Sequence, residues 1–355
     1  GTYLGLTRYN PRTGASSTFT ANTQEKSLTN SSIWSIIKDN QGTLWVGTYF
    51  GGVNYFNPEY EIYTQYRLQE KNRPGLSSQI VGRMTEDDKG NLWICTEGGG
   101  LNIYNPHTQV FSHHNLPGTA ITQNNLKAIF FDKTRRTMWV GTPLGGLDRI
   151  ELSSGKSRSY RHEAGNPKSL PSDIVRDIKP HGRQLVIATQ EGVVMMDPEK
   201  EIFTPLLAKE KLRIVQGLCI DRHGRLWIAT ESRGVYCYDF STGKFRHYQR
   251  TQAKGSLSCN NINNVMTDRQ GRIWLSTAND GIDLYDERHD SFINYGRHEG
   301  LTGSCVYAIA PSSLSNNELL LITNQGFSVF NIQHKTFRNY NKDNGFPLPL
   351  LTKMP

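Results

Sequence analysis

The sequence lacks several features that would place it in common functional classes. In 355 residues, no apolar stretch approaches the roughly 18–20 residues that a membrane-spanning helix needs. The five cysteines include no Cys-x-x-Cys pair and no cluster with histidine at zinc spacing, so we expect no metal site. The formal net charge of +8 is dispersed, without a run of like charges or a nucleic-acid-binding motif. We therefore expect no nucleic acid binding.

The sequence does contain a short strand-like segment that returns at a nearly fixed interval. Leu44-Trp45-Val46-Gly47-Thr48 is the type segment, and its tryptophan position recurs through the chain. The members of this column are Trp45, Trp93, Trp139, Val186, Trp227, Trp274 and Leu320. A period of about 40–50 residues made of short strands is typical of propeller blades.

Within one period, four short β-rich runs alternate with turns rich in Gly, Asn, Asp and Pro, which is an antiparallel pattern. The sequence therefore predicts an all-β protein, a β-propeller of four-stranded antiparallel blades, with 1–355 as a single domain. Repeat units are expected near residues 1–28 (partial), 29–76, 77–122, 123–170, 171–211, 212–257, 258–301 and 302–345, with 346–355 as a closing strand. Since Gly1-Thr2 matches the end of a repeat segment, we expect a piece of a larger protein.

Two repeated features favour structural roles. An Asp-x-x-Gly turn recurs, as in Asp87 to Gly90 and Asp221 to Gly224. Its aspartate can accept a hydrogen bond from the backbone two residues on, and its glycine can adopt positive φ. One acidic residue for each loop is too few for calcium. The tryptophan column is expected to fill the space between blades, because aliphatic Val186 and Leu320 replace it in two units.

Ligand-binding residues are expected where side chains vary on the repeated scaffold. Two such positions directly follow the first apolar residue of the first strand of a unit, and another follows the threonine that ends the second strand. Aromatic, amide and charged groups at these positions suit a hydroxyl-rich ligand, and the Arg and Lys residues would favour an acidic one. The predicted site consists of Trp34, Tyr49, Arg83, Glu97, Lys127, Arg176, Glu231, Asn263 and Tyr307.

An enzyme is the first alternative to a binding protein. Glycoside hydrolysis needs two carboxylates roughly 5–10 Å apart, and Asp177, Glu97 and Glu231 could share one face. No Gly-x-Ser-x-Gly, His-Glu-x-x-His or phosphate-binding glycine loop occurs. We therefore expect no catalytic residue and no cofactor, with a glycosidase or lyase as the alternative. A protein–protein assembly or dimerisation module is the second alternative.

The repeat resembles the two-component regulator propeller, on the residues Asp39, Gly42, Leu44 to Thr48, and Gly51 to Pro58. It is especially similar to sensor regions of Bacteroides-type hybrid two-component systems. That resemblance implies a periplasmic sensor with further propeller and β-sandwich domains and a histidine kinase in the parent protein. It also implies binding of glycan-derived oligosaccharides to control polysaccharide-utilisation genes. No ligand residue belongs to the repeat motif itself.

Two counts of the blades compete. The resemblance implies seven blades. The sequence contains seven complete units plus residues 1–28, which could form an eighth, composite blade with 346–355. Such closure would remove exposed strand edges.

Overall fold

The computed structural model describes residues 1–22, 27–39, 43–56, 66, 68, 75–114 and 121–341. The chain divides into two compact units, 1–66 and 67–355. The described residues form 29 strands in eight sheets, and their only regular helical segments are two 3₁₀ turns at Ala208–Glu210 and Arg297–Glu299. The all-β prediction is therefore confirmed.

The first unit contains two small sheets. Strands β1 (Leu6–Tyr9) and β2 (Ser16–Phe19) form an antiparallel pair. Strands β3 (Ile33–Lys38), β4 (Leu44–Thr48) and β5 (Val53–Phe56) form a three-stranded sheet. The fourth strand predicted for this sheet, residues 62–66, lies outside the described residues except for Tyr66.

The second unit consists of six four-stranded antiparallel sheets, each built from consecutive strands. The first three sheets contain β6 (Val81–Glu86), β7 (Leu92–Thr96), β8 (Leu101–Asn105), β9 (Val110–His114); β10 (Ala128–Asp132), β11 (Thr137–Gly141), β12 (Leu147–Glu151), β13 (Ser157–Tyr160); and β14 (Val175–His181), β15 (Gln184–Thr189), β16 (Gly192–Asp197), β17 (Ile202–Leu206). The last three contain β18 (Val215–Ile220), β19 (Leu226–Thr230), β20 (Val235–Tyr238), β21 (Phe245–Tyr248); β22 (Ile262–Thr267), β23 (Ile273–Thr277), β24 (Ile282–Asp286), β25 (Ser291–Tyr295); and β26 (Val306–Pro311), β27 (Glu318–Thr323), β28 (Gly326–Asn331), β29 (Thr336–Tyr340).

Neighbouring sheets of the second unit pack face to face. The first strand of each sheet contacts the first strand of the next, from β6 through β10, β14, β18 and β22 to β26. The second strands β11, β15, β19 and β23 also contact the first strand of the following sheet. This is the blade packing of a β-propeller. Eight sheets agree with the count of eight repeat units, although the predicted closing strand, 346–355, lies outside the described residues.

The tryptophan column lies in the core of the second unit, as predicted. Trp139, Trp227 and Trp274 are 0% exposed, and Val186 is equally buried at the same position. Each tryptophan contacts an aromatic ring of its own or the next sheet; Trp227, for example, stacks on Tyr248 at 5.9 Å between ring centroids. In the second unit these tryptophans therefore pack sheets together and are not available for sugar stacking. Two members of the column depart from the prediction, since Trp45 in the first unit is 40% exposed and Leu320 is only partly buried.

The Asp-x-x-Gly turn is tied directly to this column. The Asp221 carboxylate accepts the backbone N–H of His223 at 2.9 Å, as predicted for this turn, and Gly224 has φ of 76°. Its second oxygen accepts the indole N–H of Trp227 at 2.9 Å. The same indole bond joins three further pairs, Trp45 to Asp39, Trp93 to Asp87 and Trp274 to Asp268. One aspartate thus holds both the turn and the buried ring.

A second polar clamp orients the loops that enter the first strands. The Asp148 carboxylate, at the second position of β12, accepts the backbone N–H of Thr122 at 2.8 Å and its hydroxyl at 2.9 Å. Asp283 in β24 makes the same pair of bonds with Ser258, both at 3.0 Å. Burial raises the pKa of both carboxyl groups. These bonds therefore fix the loops that lead into β10 and β22, the first strands of their sheets.

Candidate functional site

The candidate site is built on β-bulges near the start of the first strands. In β3, β6, β14, β18, β22 and β26, the ladder to the second strand shifts by one residue. A bulge places two residues opposite one and re-aims a side chain. The residues at the shifts are Trp34, Gly82 and Arg83, Arg176, Gln216, Asn263 and Tyr307. Most of the predicted ligand residues therefore have a common structural origin.

Lys127 has the corresponding place in the β10 sheet, directly before the strand begins. Its backbone N–H donates to the Gly141 carbonyl oxygen at 2.9 Å. Its ammonium group contacts the Glu97 carboxylate at 2.6 Å, and both side chains are largely buried. The structure therefore brings these two predicted residues together as an ion pair between neighbouring sheets.

Arg83 connects three sheets of the second unit. From the β6 bulge, its Nη2 donates to the carbonyl oxygen of Gln216 in β18 at 3.1 Å. Its Nη1 lies 3.4 Å from the Asp177 carboxylate in β14. Because β10 lies between β6 and β14 in the row of first strands, this side chain reaches across the inner ends of the sheets.

Asp177 is the centre of this connection and is 1% exposed. Its carboxylate accepts the backbone N–H of Leu218 at 2.8 Å and that of Ile178 at 2.9 Å. Lys179 lies 3.4 Å away as a second cation beside Arg83. Four donors or cations therefore surround this carboxylate, which stabilises its charge and joins β14 to β18.

Arg176 has a different environment. Its Nη2 donates to the Gln190 side-chain oxygen at 3.0 Å, and its Nη1 lies 3.5 Å from the side-chain oxygen of Gln216. Burial lowers the pKa of its guanidinium, and the charge of Glu231 opposes that shift. Amide oxygens, rather than a carboxylate, therefore orient this cation.

Asn263 and Tyr307 occupy the bulges of the last two sheets. The Asn263 side-chain N–H donates to the Val306 carbonyl oxygen at 2.9 Å, while its Oδ1 is buried and has no partner. The Tyr307 ring is partly buried, and this burial together with Cys305 raises the pKa of its hydroxyl. These two residues supply an amide and an aromatic hydroxyl from adjacent sheets.

Trp34 and Tyr49 lie in the first unit, where they form an aromatic cluster with Phe50. The Trp34 and Tyr49 ring centroids are 5.4 Å apart, and those of Tyr49 and Phe50 are 4.4 Å apart. The three side chains are 68%, 55% and 84% exposed, respectively. Three neighbouring solvent-facing rings form a surface of the kind on which apolar groups or sugar C–H faces can pack.

The predicted ligand set omits several residues of this arrangement. Gln190, Gln216 and Asp177 belong to the Arg83 and Arg176 contacts, and Phe50 belongs to the aromatic cluster. Gln190 and Gln216 occupy the same two variable positions as the predicted residues, so position alone could have indicated them. The contacts of Asp177 with Arg83 and Leu218 join sheets that lie far apart in the sequence, so spacing could not indicate them.

The described residues contain no group of three or more His, Cys, Asp or Glu side chains that could hold a metal ion. In the same part of the chain, no helix has the length and apolar character needed to cross a membrane.

Comparison with known proteins identifies the repeat. The family model for the two component regulator propeller matches residues 27–50, 75–98, 211–232 and 256–279. Four segments of the chain are therefore similar to the two-component regulator propeller repeat. No curated protein matches it in sequence.

Solved structures show similar folds. The extracellular domains of two putative hybrid two component systems from B. thetaiotaomicron match with TM-scores of 0.52 and 0.59, at 18% and 16% identity. These matches cover 93% and 97% of this chain but only 49% and 46% of the other chains, so this chain spans about half their length. A virginiamycin B lyase from Staphylococcus aureus matches with a TM-score of 0.58 and 13% identity over 78% of this chain and 89% of the lyase.

Proposed function

We propose that this chain is a ligand-sensing, extracytoplasmic propeller of a hybrid two-component system that binds glycan-derived oligosaccharides. The family matches and the extracellular two-component domains support the sensor role. The parent protein would be a periplasmic sensor with further propeller and β-sandwich domains. Its histidine kinase would control polysaccharide-utilisation genes when the ligand binds.

The bulge residues of the second unit are the observation that carries the binding role. They present guanidinium, amide and phenol groups from the inner strands of five of the six sheets, and Lys127 adds an ammonium group directly before β10. An oligosaccharide offers many hydroxyl groups that both donate and accept hydrogen bonds, which such a mixture can satisfy. Because these side chains take no part in the ladder pairing, they can serve a ligand without disturbing the sheets.

The ion pairs made by Glu97 and Asp177 favour a binding role over a catalytic one. Glu97 is 2.6 Å from the Lys127 ammonium, and Asp177 is surrounded by Arg83, Lys179 and backbone N–H donors. A catalytic carboxylate must be free to contact the substrate, whereas these two groups contact cations and donors of the protein. Two of the three carboxylates that the sequence offers for acid–base chemistry are therefore committed to ion pairs.

A thermal-shift screen of the purified chain against neutral and acidic oligosaccharides tests the proposal. A ligand at 100 times its Kd should add roughly 2.7 kcal/mol to the free energy of unfolding. Asn263→Ala and Tyr307→Ala should weaken binding of any ligand found, while Phe245→Ala, at an outer strand, should not. Cleavage of a bound oligosaccharide would contradict the proposal in favour of an enzyme.

The assembly alternative is tested separately, because the aromatic cluster of the first unit is a surface that another protomer could cover. Light scattering over a range of concentrations should show no change in mass on Phe50→Ser. A homodimer that dissociates in this variant would instead assign the cluster to assembly.

A further inference from the structure

Three of the predicted ligand residues are cations, and two of them have carboxylate partners in the structure. Lys127 contacts Glu97 at 2.6 Å, and Arg83 contacts Asp177 at 3.4 Å. Their charges are therefore balanced within the protein. Arg176 is the exception, since no carboxylate of the described residues lies within ion-pair distance of its guanidinium.

The surroundings of Arg176 orient the guanidinium without neutralising it. The side-chain oxygens of Gln190 and Gln216 accept from its two terminal nitrogens at 3.0 and 3.5 Å. Its Nε is buried and has no hydrogen-bond partner. A partly buried cation gains more from a counter-ion than an exposed one, because water screens it less. The protein supplies amide dipoles at hydrogen-bonding distance and the charge of Glu231 at longer range, but no carboxylate of the described residues pairs directly with this guanidinium.

We propose that Arg176 binds a carboxylate or sulfate group of the oligosaccharide, with Gln190 and Gln216 as positioning residues. This inference rests on the proposed function and narrows its ligand to acidic oligosaccharides. The planar guanidinium fork suits two-oxygen acceptors such as carboxylate and sulfate. The charge of Glu231 acts on Arg176 and competes with an anionic group of the ligand, so the guanidinium contact must outweigh this repulsion.

The test uses matched pairs of short oligosaccharides that differ only in charge. Uronate oligosaccharides are compared with their methyl esters, and sulfated oligosaccharides with their desulfated forms, by isothermal titration calorimetry. Wild type should bind the charged member of at least one pair more tightly, by about 10-fold or more, as expected for charge-assisted hydrogen bonds. Arg176→Gln should remove that preference, so that the charged and neutral members of the pair bind with nearly equal affinity.

Two further variants separate a contact from general charge attraction. Arg213→Gln removes the same charge from an exposed side chain that pairs with Glu191, so it should leave the preference intact. Arg176→Lys retains the positive charge but lacks the planar guanidinium, so it should retain part of the preference for the charged oligosaccharide. This variant also provides a test if Arg176→Gln does not fold.

The outcomes distinguish this inference from the function on which it rests. If wild type binds both members of every pair equally, or if Arg176→Gln keeps the preference, the assignment of Arg176 is wrong while a neutral-sugar sensor stands. An equal loss of preference in Arg213→Gln would also overturn the assignment, since it would show long-range attraction only. If no oligosaccharide binds wild type, the proposed function itself fails.

Discussion

Replacing two buried tryptophans with phenylalanine should have unequal costs, although both rings are 0% exposed. Trp227 donates its indole N–H to the Asp221 carboxylate at 2.9 Å. Trp139 occupies the equivalent position, but its indole nitrogen has no acceptor. Trp227→Phe therefore breaks a hydrogen bond to a charged group, whereas Trp139→Phe removes a donor that is already unpartnered.

The reason for the difference lies in the turn. Asp221 precedes Trp227 by six residues, whereas Asp132 precedes Trp139 by seven, because that turn is one residue longer. Asp132 instead accepts the backbone N–H of Arg135 at 3.1 Å and its Nη1 at 2.8 Å. In both sheets the aspartate accepts a backbone N–H of its turn, but only Asp221 also accepts the indole N–H of the tryptophan.

The magnitude follows from the bond that is lost. Hydrogen bonds to charged groups contribute about 1.5–3 kcal/mol, and the smaller ring leaves a similar cavity at both sites. Trp227→Phe should therefore lower the free energy of unfolding by about 1.5–3 kcal/mol more than Trp139→Phe. Urea denaturation followed by far-UV circular dichroism measures both variants without depending on tryptophan fluorescence. Equal costs, or a larger cost at Trp139, would refute the role given to the indole–aspartate bond.

The remaining predictions concern packing, pH and secondary structure. Trp139→Ala should cost roughly 3–5 kcal/mol without selectively abolishing ligand binding, and a stable variant that had lost only binding would contradict a packing role. Because the folded state raises the pKa of Asp283, it holds the proton more tightly than the unfolded chain, so this group's contribution to stability falls as pH rises above its ordinary value. Asp283→Asn should therefore gain stability relative to wild type between about pH 4 and pH 7, as urea titrations would show, and a parallel pH profile for the two proteins would contradict it. Far-UV circular dichroism should show a nearly all-β spectrum, and substantial helix would be inconsistent with this fold.

The Asp283→Asn change has a natural precedent in the same chain. Asn102 has the equivalent place in β8, and its side-chain oxygen accepts the backbone N–H of Ser77 at 2.8 Å. Its amide nitrogen donates to the Ser77 hydroxyl at 2.8 Å, the reverse of the hydroxyl donation to Asp283. An amide side chain can therefore make the hydrogen bonds that hold this loop. Asp283→Asn thus tests the effect of the carboxylate charge and not the loss of these bonds.

Much of the fold could be predicted because repetition makes local signals visible. The strand positions, the Asp-x-x-Gly turns and the buried column each recur, so one unit supports the interpretation of the next. The hydrogen bond between the turn aspartate and the indole could also have been predicted from the sequence. Asp39 and Trp45 are six residues apart, as are Asp268 and Trp274. A spacing of six residues between the two side chains is the sequence signal for this bond.

The sequence indicated where the candidate side chains would lie in the strands, but not which residues of other sheets they would contact. The variable residues at the strand starts are those at the bulges, as Arg176 and Asn263 show. That Arg83 would contact Asp177 could not be read from spacing, because the two residues belong to different sheets and meet only through packing. For the same reason, the sequence could not show that Arg83 and Lys127 each contact a carboxylate, whereas no carboxylate among the described residues lies within ion-pair distance of Arg176.

The bulges hold most of the proposed ligand residues outside the hydrogen-bonded strand ladder. A residue at a bulge has no partner in the strand ladder, so exchanging its side chain leaves the pairing on both sides in place. New specificities could therefore arise in evolution through single substitutions at these positions, without compensating changes in the core. The same property makes Gln216, Asn263 and Tyr307 suitable positions for a combinatorial library, in which many binding preferences could be sampled on one stable scaffold.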